Sequence, residues 1–239
     1  MRRRLVGELM DDPGVPREQL DSALHYIRKI NAKMGGVEAL LGHLRAWSAR
    51  WDRAVPVTIL DVGTGSADLP LAVYRWANEA GFLVQITGVD IHETTLDLAR
   101  EQVGKVAGAA GAITLLREDA LKLEERFAAR SFEYVHAGLF LHHLTDEQVL
   151  EVLRSMDRLA WRGMVWNDLV RSRVGHAVIT LMTLGKPRII AHDARASVAA
   201  GFTREEVEGF ARRAGIGYAR YGWNIFSHRF TLAGEKAGG

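Results

Sequence analysis

The sequence contains no cysteine, which excludes disulfide bonds and thiolate metal sites and fits a reducing compartment. Long apolar runs are missing too, since the longest one late in the chain, Ala177–Leu184, is too short to cross a bilayer. The basic residues Arg2–Arg4 are soon followed by acidic ones, where a signal peptide would need an apolar core. We therefore expect a cytoplasmic protein without a membrane span.

The chain also lacks a basic run of the kind that binds nucleic acid. Its net charge is +2, and the ten Lys and Arg residues between Arg171 and Arg229, against four Asp and Glu, are scattered. We expect a small-molecule substrate and no nucleic-acid partner. The sequence leaves open whether the protein is a monomer or a homodimer.

Two amphipathic helices are predicted near the start of the chain. Apolar residues recur at helical spacing from Arg17 to Met34, where Gly35 and Gly36 end the pattern, and again from Val37 to about Arg50. Pro56 marks the change to a different kind of sequence. We interpret residues 1–52 as an N-terminal helical lid.

Residues 53–239 are predicted to form one α/β domain, because short apolar runs alternate with segments of helical period. Two further strand-like runs near the end, 217–225 and 226–233, predict a hairpin. The segment 170–202 fits the alternation poorly, and we interpret it as an insertion that caps the substrate. The predicted strands are 57–62, 84–90, 112–117, 132–137 and 162–168, and the helices between and after them lie near 67–80, 93–106, 121–129, 146–160 and 204–214.

The strongest signal is the run from Thr58 to Asp68, in which a buried strand breaks into a glycine turn that leads into a helix. Glycines at a helix N-terminus let a ligand approach the backbone closely. Nicotinamide fingerprints read Gly-x-Gly-x-x-Gly, whereas here the last position is Asp68. The pattern therefore disfavours an NAD-dependent oxidoreductase.

Carboxylates follow the next two predicted strands. Asp90 ends the second strand, where it can accept both hydroxyls of a ribose, and Asp119 follows the third, where it can bond an adenine amine. Each aspartate alone also fits a helix cap or a solvated turn. Their order and spacing together indicate a site for an adenosine-containing cofactor.

These residues resemble the class I S-adenosylmethionine-dependent methyltransferases, whose first motif is an acidic residue followed by Gly-x-Gly-x-Gly. The resemblance covers about residues 57–170, with Ala67 in place of the third glycine. It implies a Rossmann-like seven-stranded sheet and S-adenosylmethionine as cofactor, with S-adenosylhomocysteine as product. The cofactor-binding residues it implies are Asp61, Gly63, Thr64, Gly65 and Asp68 at the turn, Asp90 and Ile91 at the ribose, Asp119 and Ala120 at the adenine, and His136 near the methionine part.

A finer resemblance concerns the acceptor. The run from Phe132 to Leu144 resembles quinone-biosynthesis methyltransferases, whereas Glu8–Pro13 and Trp166–Leu169 resemble bacterial methyltransferases of polyketide or quinone-like phenols. The Asn/Asp-Pro-Pro-aromatic tetrapeptide of methyltransferases that act on adenine or glutamine amides is absent. The resemblance implies O-methylation of a small aromatic acceptor in secondary metabolism.

Candidate catalytic residues lie at the carboxyl ends of the fourth and fifth predicted strands. His142 and His143 follow the fourth, Asp168 ends the fifth, and this edge is where open α/β sheets place their sites. An imidazole suits the removal of a phenolic proton, so His143 is the leading base, although the pair also fits a structural turn. Magnesium-dependent catechol methyltransferases use clustered carboxylates and an asparagine, and only Asn167 and Asp168 resemble that set here. We therefore expect no metal.

Two alternatives stay open at this stage. One is a C-methyltransferase of quinone biosynthesis, and the other is a non-catalytic partner or sensor that binds S-adenosylmethionine without transferring its methyl group. Intact Asp61, Gly63, Gly65, Asp90 and Asp119 indicate cofactor binding, but they do not distinguish an enzyme from a sensor.

Overall fold

Seven strands form a single sheet in the computed structural model, which describes residues 2–224 and 227–238. The strands are β1 (Val57–Val62), β2 (Val84–Asp90), β3 (Ile113–Arg117), β4 (Phe132–Gly138), β5 (Ala160–Leu169), β6 (Arg220–Asn224) and β7 (Arg229–Glu235). Their order across the sheet is β3-β2-β1-β4-β5-β7-β6. Strands β1 to β5 are parallel, and β7 pairs antiparallel with both β5 and β6.

Helices cover both faces of the sheet. The α-helices are α1 (Arg17–Lys33), α2 (Gly36–Trp47), α3 (Asp68–Ala80), α4 (Glu93–Gly104), α5 (Ala109–Ala112), α6 (Leu123–Arg126), α7 (Asp146–Leu159), α8 (Arg173–Met182), α9 (Arg188–Ala200) and α10 (Arg204–Ala214). Short 3-10 turns lie at Leu9–Asp11, Ser48–Arg50, Ala120–Lys122 and Leu141–His143. Among the described residues, no helix is both long and apolar enough to span a membrane.

The predicted seven-stranded α/β sheet is confirmed, and the five predicted parallel strands lie within two residues of their predicted ends. The final hairpin is shifted to 220–224 and 229–235, and predicted positions 225 and 226 lie outside the described residues. The predicted helix at 121–129 is wrong: it is a 3-10 turn followed by the single turn of α6. Phe127 ends that turn because its backbone is extended and its ring packs edge-on against Phe132.

The connection from 171 to 202 consists mainly of two helices, α8 and α9, which pack against each other. Helix α9 also contacts α1 and the 3-10 turn at Leu9–Asp11. The structure therefore brings the start of the chain together with the inserted segment, above the carboxyl ends of the strands.

Helix α2 belongs to the core rather than to a detachable lid. Leu40, Leu41 and Leu44 are buried in it, and the ring of Trp47 stacks on Tyr134 of β4 at 5.2 Å. Burial of side chains this large contributes about 1.5–3 kcal/mol each. The predicted lid, residues 1–52, therefore includes one helix, α2, that packs against the sheet.

The topology creates one crevice. Strand β1 pairs with β2 on one side and with β4 on the other, so the chain runs outward from β1 in both directions. In open α/β sheets, ligands bind outside the carboxyl ends of the strands at such a reversal.

Candidate active site

A cavity of about 350 Å³ lies at this reversal. It is lined by the glycine turn, by the end of β2, by the 3-10 turn after β4, and by the N-terminal segment. Eleven of the thirteen predicted site residues line it, and the other two, His136 and Asp168, lie behind it. The eleven are Asp61, Gly63, Thr64, Gly65, Asp68, Asp90, Ile91, Asp119, Ala120, His142 and His143.

The turn after β1 requires glycine at two positions. Gly63 has a φ of +69°, and a Cβ there would stand 2.4 Å from Cγ of Phe140. Gly65 has a φ of +53°, and its N–H donates to Asp90 Oδ2 at 3.1 Å. The backbone conformation of the turn therefore favours glycine at these two positions. The hydrogen bond from Gly65 to Asp90 connects the turn after β1 to the end of β2.

Asp90 is positioned to accept further hydrogen bonds from a ligand. Its Oδ1 accepts from the N–H of His92 at 3.0 Å, and its Oδ2 accepts from Gly65. Burial raises the pKa of Asp90, with the two backbone donors acting in the opposite direction. Each carboxylate oxygen has a second lone pair, so the side chain retains acceptor capacity toward the cavity.

One predicted residue and one that was not predicted also line the cavity. Asp119 caps the 3-10 turn at Ala120–Lys122, since its Oδ1 accepts from the N–H of Leu121 at 2.9 Å. Ser66, which sequence reasoning did not select, lines the cavity with a buried hydroxyl that has no hydrogen-bond partner among the described residues. A buried hydroxyl without a partner is rare, and a bound ligand would satisfy it.

His136 does not reach the cavity, which changes its predicted role. Its Nδ1 lies 2.5 Å from Asp61 Oδ1, and its Nε2 lies 3.1 Å from the amide nitrogen of Asn167. Both ring nitrogens are thus used inside the sheet, and neither is left for a cofactor. The other Asp61 oxygen accepts from Thr64 at 2.7 Å, so His136 supports the turn from behind.

A buried polar chain continues from Asn167 to the N-terminal helix. Arg229 donates to Asn167 at 3.4 Å and to Asn31 of α1 at 2.9 Å, and Asn31 donates to Asp68 at 2.8 Å. Burial lowers the pKa of Arg229 to about 10, against the opposing charges of Asp168 and Asp68. This series of buried hydrogen bonds fixes α1 to the sheet at the cavity wall.

His142 is buried between two carboxylates. Its Nδ1 lies 2.7 Å from Asp168 Oδ1, and its Nε2 lies 3.3 Å from Glu8 Oε1. Burial opposes a charge on the ring, but Asp168 and Glu8 outweigh it and raise the pKa of His142 to about 10. Burial alone would likewise raise the pKa of Asp168 and Glu8, yet the neighbouring imidazoles lower both. The carboxylates on both sides therefore favour the protonated ring of His142.

His143 faces the cavity and is one-quarter exposed. Its ring stacks on His142 with centroids 4.3 Å apart, and its Nδ1 lies 3.0 Å from Asp11 Oδ2. A carboxylate at Nδ1 holds the proton on that nitrogen and leaves Nε2 as the acceptor. Nε2 of His143 can thus accept a proton, whereas both ring nitrogens of His142 face carboxylates.

Glu8 and Asp11 were missed as site residues because they reach the histidines from more than 130 positions away in sequence. Asp193 of α9 accepts from the backbone N–H groups of Leu9 and Met10 at 2.7 and 3.1 Å. Arg3 donates to three carbonyls of the segment 141–144. The acidic stretch that begins at Glu8 was visible in the sequence, but nothing local indicated its partner.

Residues 59–163 match the family model described as a methyltransferase domain. A comparison with curated proteins found no similar sequence.

Several solved structures share the fold. Magnesium protoporphyrin IX methyltransferase from Synechocystis PCC 6803, solved with bound S-adenosylhomocysteine, is 13% identical with a TM-score of 0.62, over 92% of this chain and 98% of that one. An O-methyltransferase family protein from Burkholderia thailandensis is 15% identical with a TM-score of 0.66, over 96% of this chain and 62% of that one.

A candidate O-methyltransferase from Nostoc punctiforme is 17% identical with a TM-score of 0.61, over 87% of this chain. The chain spans only 58% of that protein's length. At these identities the likeness to the solved structures concerns the fold alone. The family model adds a methyltransferase domain over residues 59–163, and this domain contains the glycine turn that lines the cavity.

Proposed function

We propose that the protein methylates a hydroxyl oxygen of a small phenolic or quinol-like acceptor. The observation that carries the proposal is the pair of imidazoles at the carboxyl edge of β4, one buried between two carboxylates and one bonded to Asp11 through Nδ1, which leaves Nε2 as an acceptor. Both line the cavity that the glycine turn also lines. Removing a hydroxyl proton also activates the ring carbons beside it, so the position of the transferred methyl group distinguishes this proposal from transfer to carbon.

The cavity residues fit S-adenosylmethionine, which supplies a methyl group on a positively charged sulfur. We assign the ribose hydroxyls to Asp90 and the adenine to the rim at Asp119 and Ala120. The unpaired hydroxyl of Ser66 lies beside the glycine turn and is available to the methionine part. These assignments rest on the resemblance to class I methyltransferases, and they are supported by the fact that all of these residues line the same cavity.

The two histidines divide the work on the acceptor. His142 is held between Asp168 and Glu8, and its ring stacks on that of His143 and keeps it in place. His143 Nε2 takes the proton from the acceptor hydroxyl while the oxygen forms its bond to the methyl carbon; the bond from that carbon to sulfur breaks, and S-adenosylhomocysteine leaves. Asp11 and Asp168 hold the two rings in place through Nδ1.

A panel of phenols and quinols incubated with isotope-labelled S-adenosylmethionine tests this function. We expect label on a phenolic oxygen of at least one compound, located by mass analysis and by alkali-stable ether chemistry. Label on a ring carbon would instead indicate a C-methyltransferase of quinone biosynthesis. Cofactor binding without transfer to any compound in the panel would favour the sensor alternative.

Replacing Asp90 with alanine tests the ribose assignment. Loss of a charged acceptor for the hydroxyls should cost about 1.5–3 kcal/mol, or roughly a tenfold to hundredfold weaker affinity for S-adenosylhomocysteine by calorimetry. Asp97→Ala is the matched control, because Asp97 is an exposed aspartate of α4. An unchanged dissociation constant in a folded Asp90→Ala protein would place the ribose elsewhere.

We also propose that the N-terminal segment and the insertion at 170–202 close the cavity over the acceptor. Support comes from the contacts of α9 with α1 and with the turn at Leu9–Asp11. Deleting residues 2–14 spares α2, so we expect a folded protein that binds cofactor and transfers methyl at a small fraction of the normal rate. Full activity of this deletion variant would refute the closure.

A further inference from the structure

The side chains of Glu8, His142 and His143 converge on one point, and the proposed methyl transfer gives Glu8 no role there. Each offers one ligand atom, a carboxylate oxygen or a ring nitrogen, and these atoms all lie within 4.8 Å of one another. Among the described residues, these three form the group of histidine and acidic side chains whose ligand atoms lie close enough together to hold a metal ion.

Both imidazoles carry the supporting contact that is typical of metal ligands. His142 Nδ1 is bonded to Asp168 at 2.7 Å, and His143 Nδ1 is bonded to Asp11 at 3.0 Å. Histidines that bind metals almost always pair their second ring nitrogen with a carboxylate, a carbonyl or a water in this way. The contact fixes the ring and directs the other nitrogen at the ion.

The nitrogen that this arrangement directs at the cluster has an ion-pair contact but no well-formed hydrogen bond. Nε2 of His142 is buried and makes no hydrogen bond to any described residue, although Glu8 Oε1 is only 3.3 Å away. Ligand atoms about 2.0–2.1 Å from a tetrahedral ion are themselves roughly 3.3 Å apart. His143 Nε2 is 4.0 Å from the same oxygen, and a small rotation of this partly exposed ring brings it into range.

The carboxylate of the cluster is held rigidly. Glu8 is buried, accepts a hydrogen bond from Ser197 of α9, and follows a segment that Arg3 anchors to the loop after β4. Asp193 fixes the two residues after it through their backbone N–H groups. Such preorganisation distinguishes a built site from a chance meeting of surface side chains.

We propose that Glu8, His142 and His143 bind one divalent transition-metal ion of the zinc type. Two imidazoles and a carboxylate suit zinc, cobalt and iron, whereas magnesium prefers all-oxygen octahedral surroundings. Three protein ligands leave a position open, and it faces the cavity that these residues line. With the ion bound, His143 Nε2 would be a ligand and no longer a base, and an acceptor oxygen at the open position would lose its proton to solvent more readily; this last role alone rests on the proposed function.

Calorimetric titration of the tag-free full-length protein with Zn²⁺, after treatment with chelator and its removal, tests the site. We expect one saturable Zn²⁺ site per chain, resistant to excess Mg²⁺, and a 1:1 visible absorption change with Co²⁺. His143→Ala should abolish this site, and Asp11→Asn should weaken it about tenfold to hundredfold because it loosens one ring. His25→Ala, at an exposed histidine of α1, and Asp12→Asn, at an exposed neighbour, are the matched controls.

Affinity for S-adenosylhomocysteine, measured in chelator, reports whether each variant is folded and keeps this test separate from the methyl-transfer proposal. The proposal is overturned if folded wild-type protein shows no saturable 1:1 site for Zn²⁺. It is equally overturned if His143→Ala binds Zn²⁺ as tightly as His25→Ala does.

Discussion

Replacing His143 with alanine should lower the turnover of methyl transfer about a hundredfold, within the range of roughly 10² to 10⁴ for loss of a general base. His143 is the cavity-facing imidazole whose Nε2 is left as the acceptor, since Asp11 lies at Nδ1. Affinity for S-adenosylhomocysteine should stay within a few-fold of wild type. Steady-state kinetics and calorimetry in the presence of chelator measure the two quantities separately.

His25→Ala is the control for this change, because it removes an exposed imidazole outside the cavity. A more acidic phenol, already ionised at the assay pH, should be methylated by His143→Ala with a smaller loss, because it needs no base. If His143→Ala keeps most of its turnover on ordinary phenols, proton removal by this residue is not part of the slow step.

Replacing Asp168 with alanine should lower the free energy of unfolding by about 3–5 kcal/mol, the usual cost of breaking a buried ion pair. Asp168 is fully buried and accepts from the backbone N–H groups of His142 and Leu169 besides the imidazole. Urea denaturation measures the loss. Asp97→Ala breaks an exposed pair with Arg100 on α4 and should cost at most about 1 kcal/mol.

The pH dependence of the free energy of unfolding of Asp168→Asn shows whether the charge on His142 stabilises the folded protein. The folded protein holds the pKa of His142 at about 10, above its unfolded value, so this stabilisation is complete below the unfolded pKa and is lost as pH rises toward 10. In chelator, the stability difference between wild type and Asp168→Asn should narrow by up to about 1.4 kcal/mol per pH unit across that range. A difference that is constant with pH would mean that His142 is neutral in the folded protein.

The sheet could be predicted because its signals are local. Each parallel strand is a short apolar run, and helices such as α7 and α10 begin at capping boxes that the sequence displays directly. The prediction of a helix over 121–129 was wrong because Phe127 leaves the helix to pack on Phe132. The helical spacing of apolar residues does not reveal such a contact.

The meeting of Gly63, Gly65 and Asp90 at one cavity could be predicted for the same reason, since they follow strands whose carboxyl ends meet at one edge. Periodicity does not show which side chain of a strand end points into the crevice, and the structure pairs His136 with Asp61 behind the cavity. The acidic partners of the histidines come from a distant segment that lies there only because Asp193 and Arg3 hold it. No pattern within one stretch of sequence encodes such a contact.

The fold itself does not choose the acceptor, because 611 chains of solved structures resemble it. Beside the sheet, the cavity is lined by the cluster over the carboxyl edge, where the N-terminal carboxylates meet His142 and His143. The acceptor chemistry proposed for the protein therefore depends on these few side chains rather than on the sheet.

Calorimetric titration with S-adenosylhomocysteine and, separately, with NAD tests most directly that the cavity beside the glycine turn is a methyltransferase cofactor site. We predict one saturable site per chain for S-adenosylhomocysteine and much weaker or no binding of NAD, because the turn has Asp68 where a nicotinamide fingerprint needs its third glycine. Tighter binding of NAD than of S-adenosylhomocysteine by the folded wild-type protein would contradict this account.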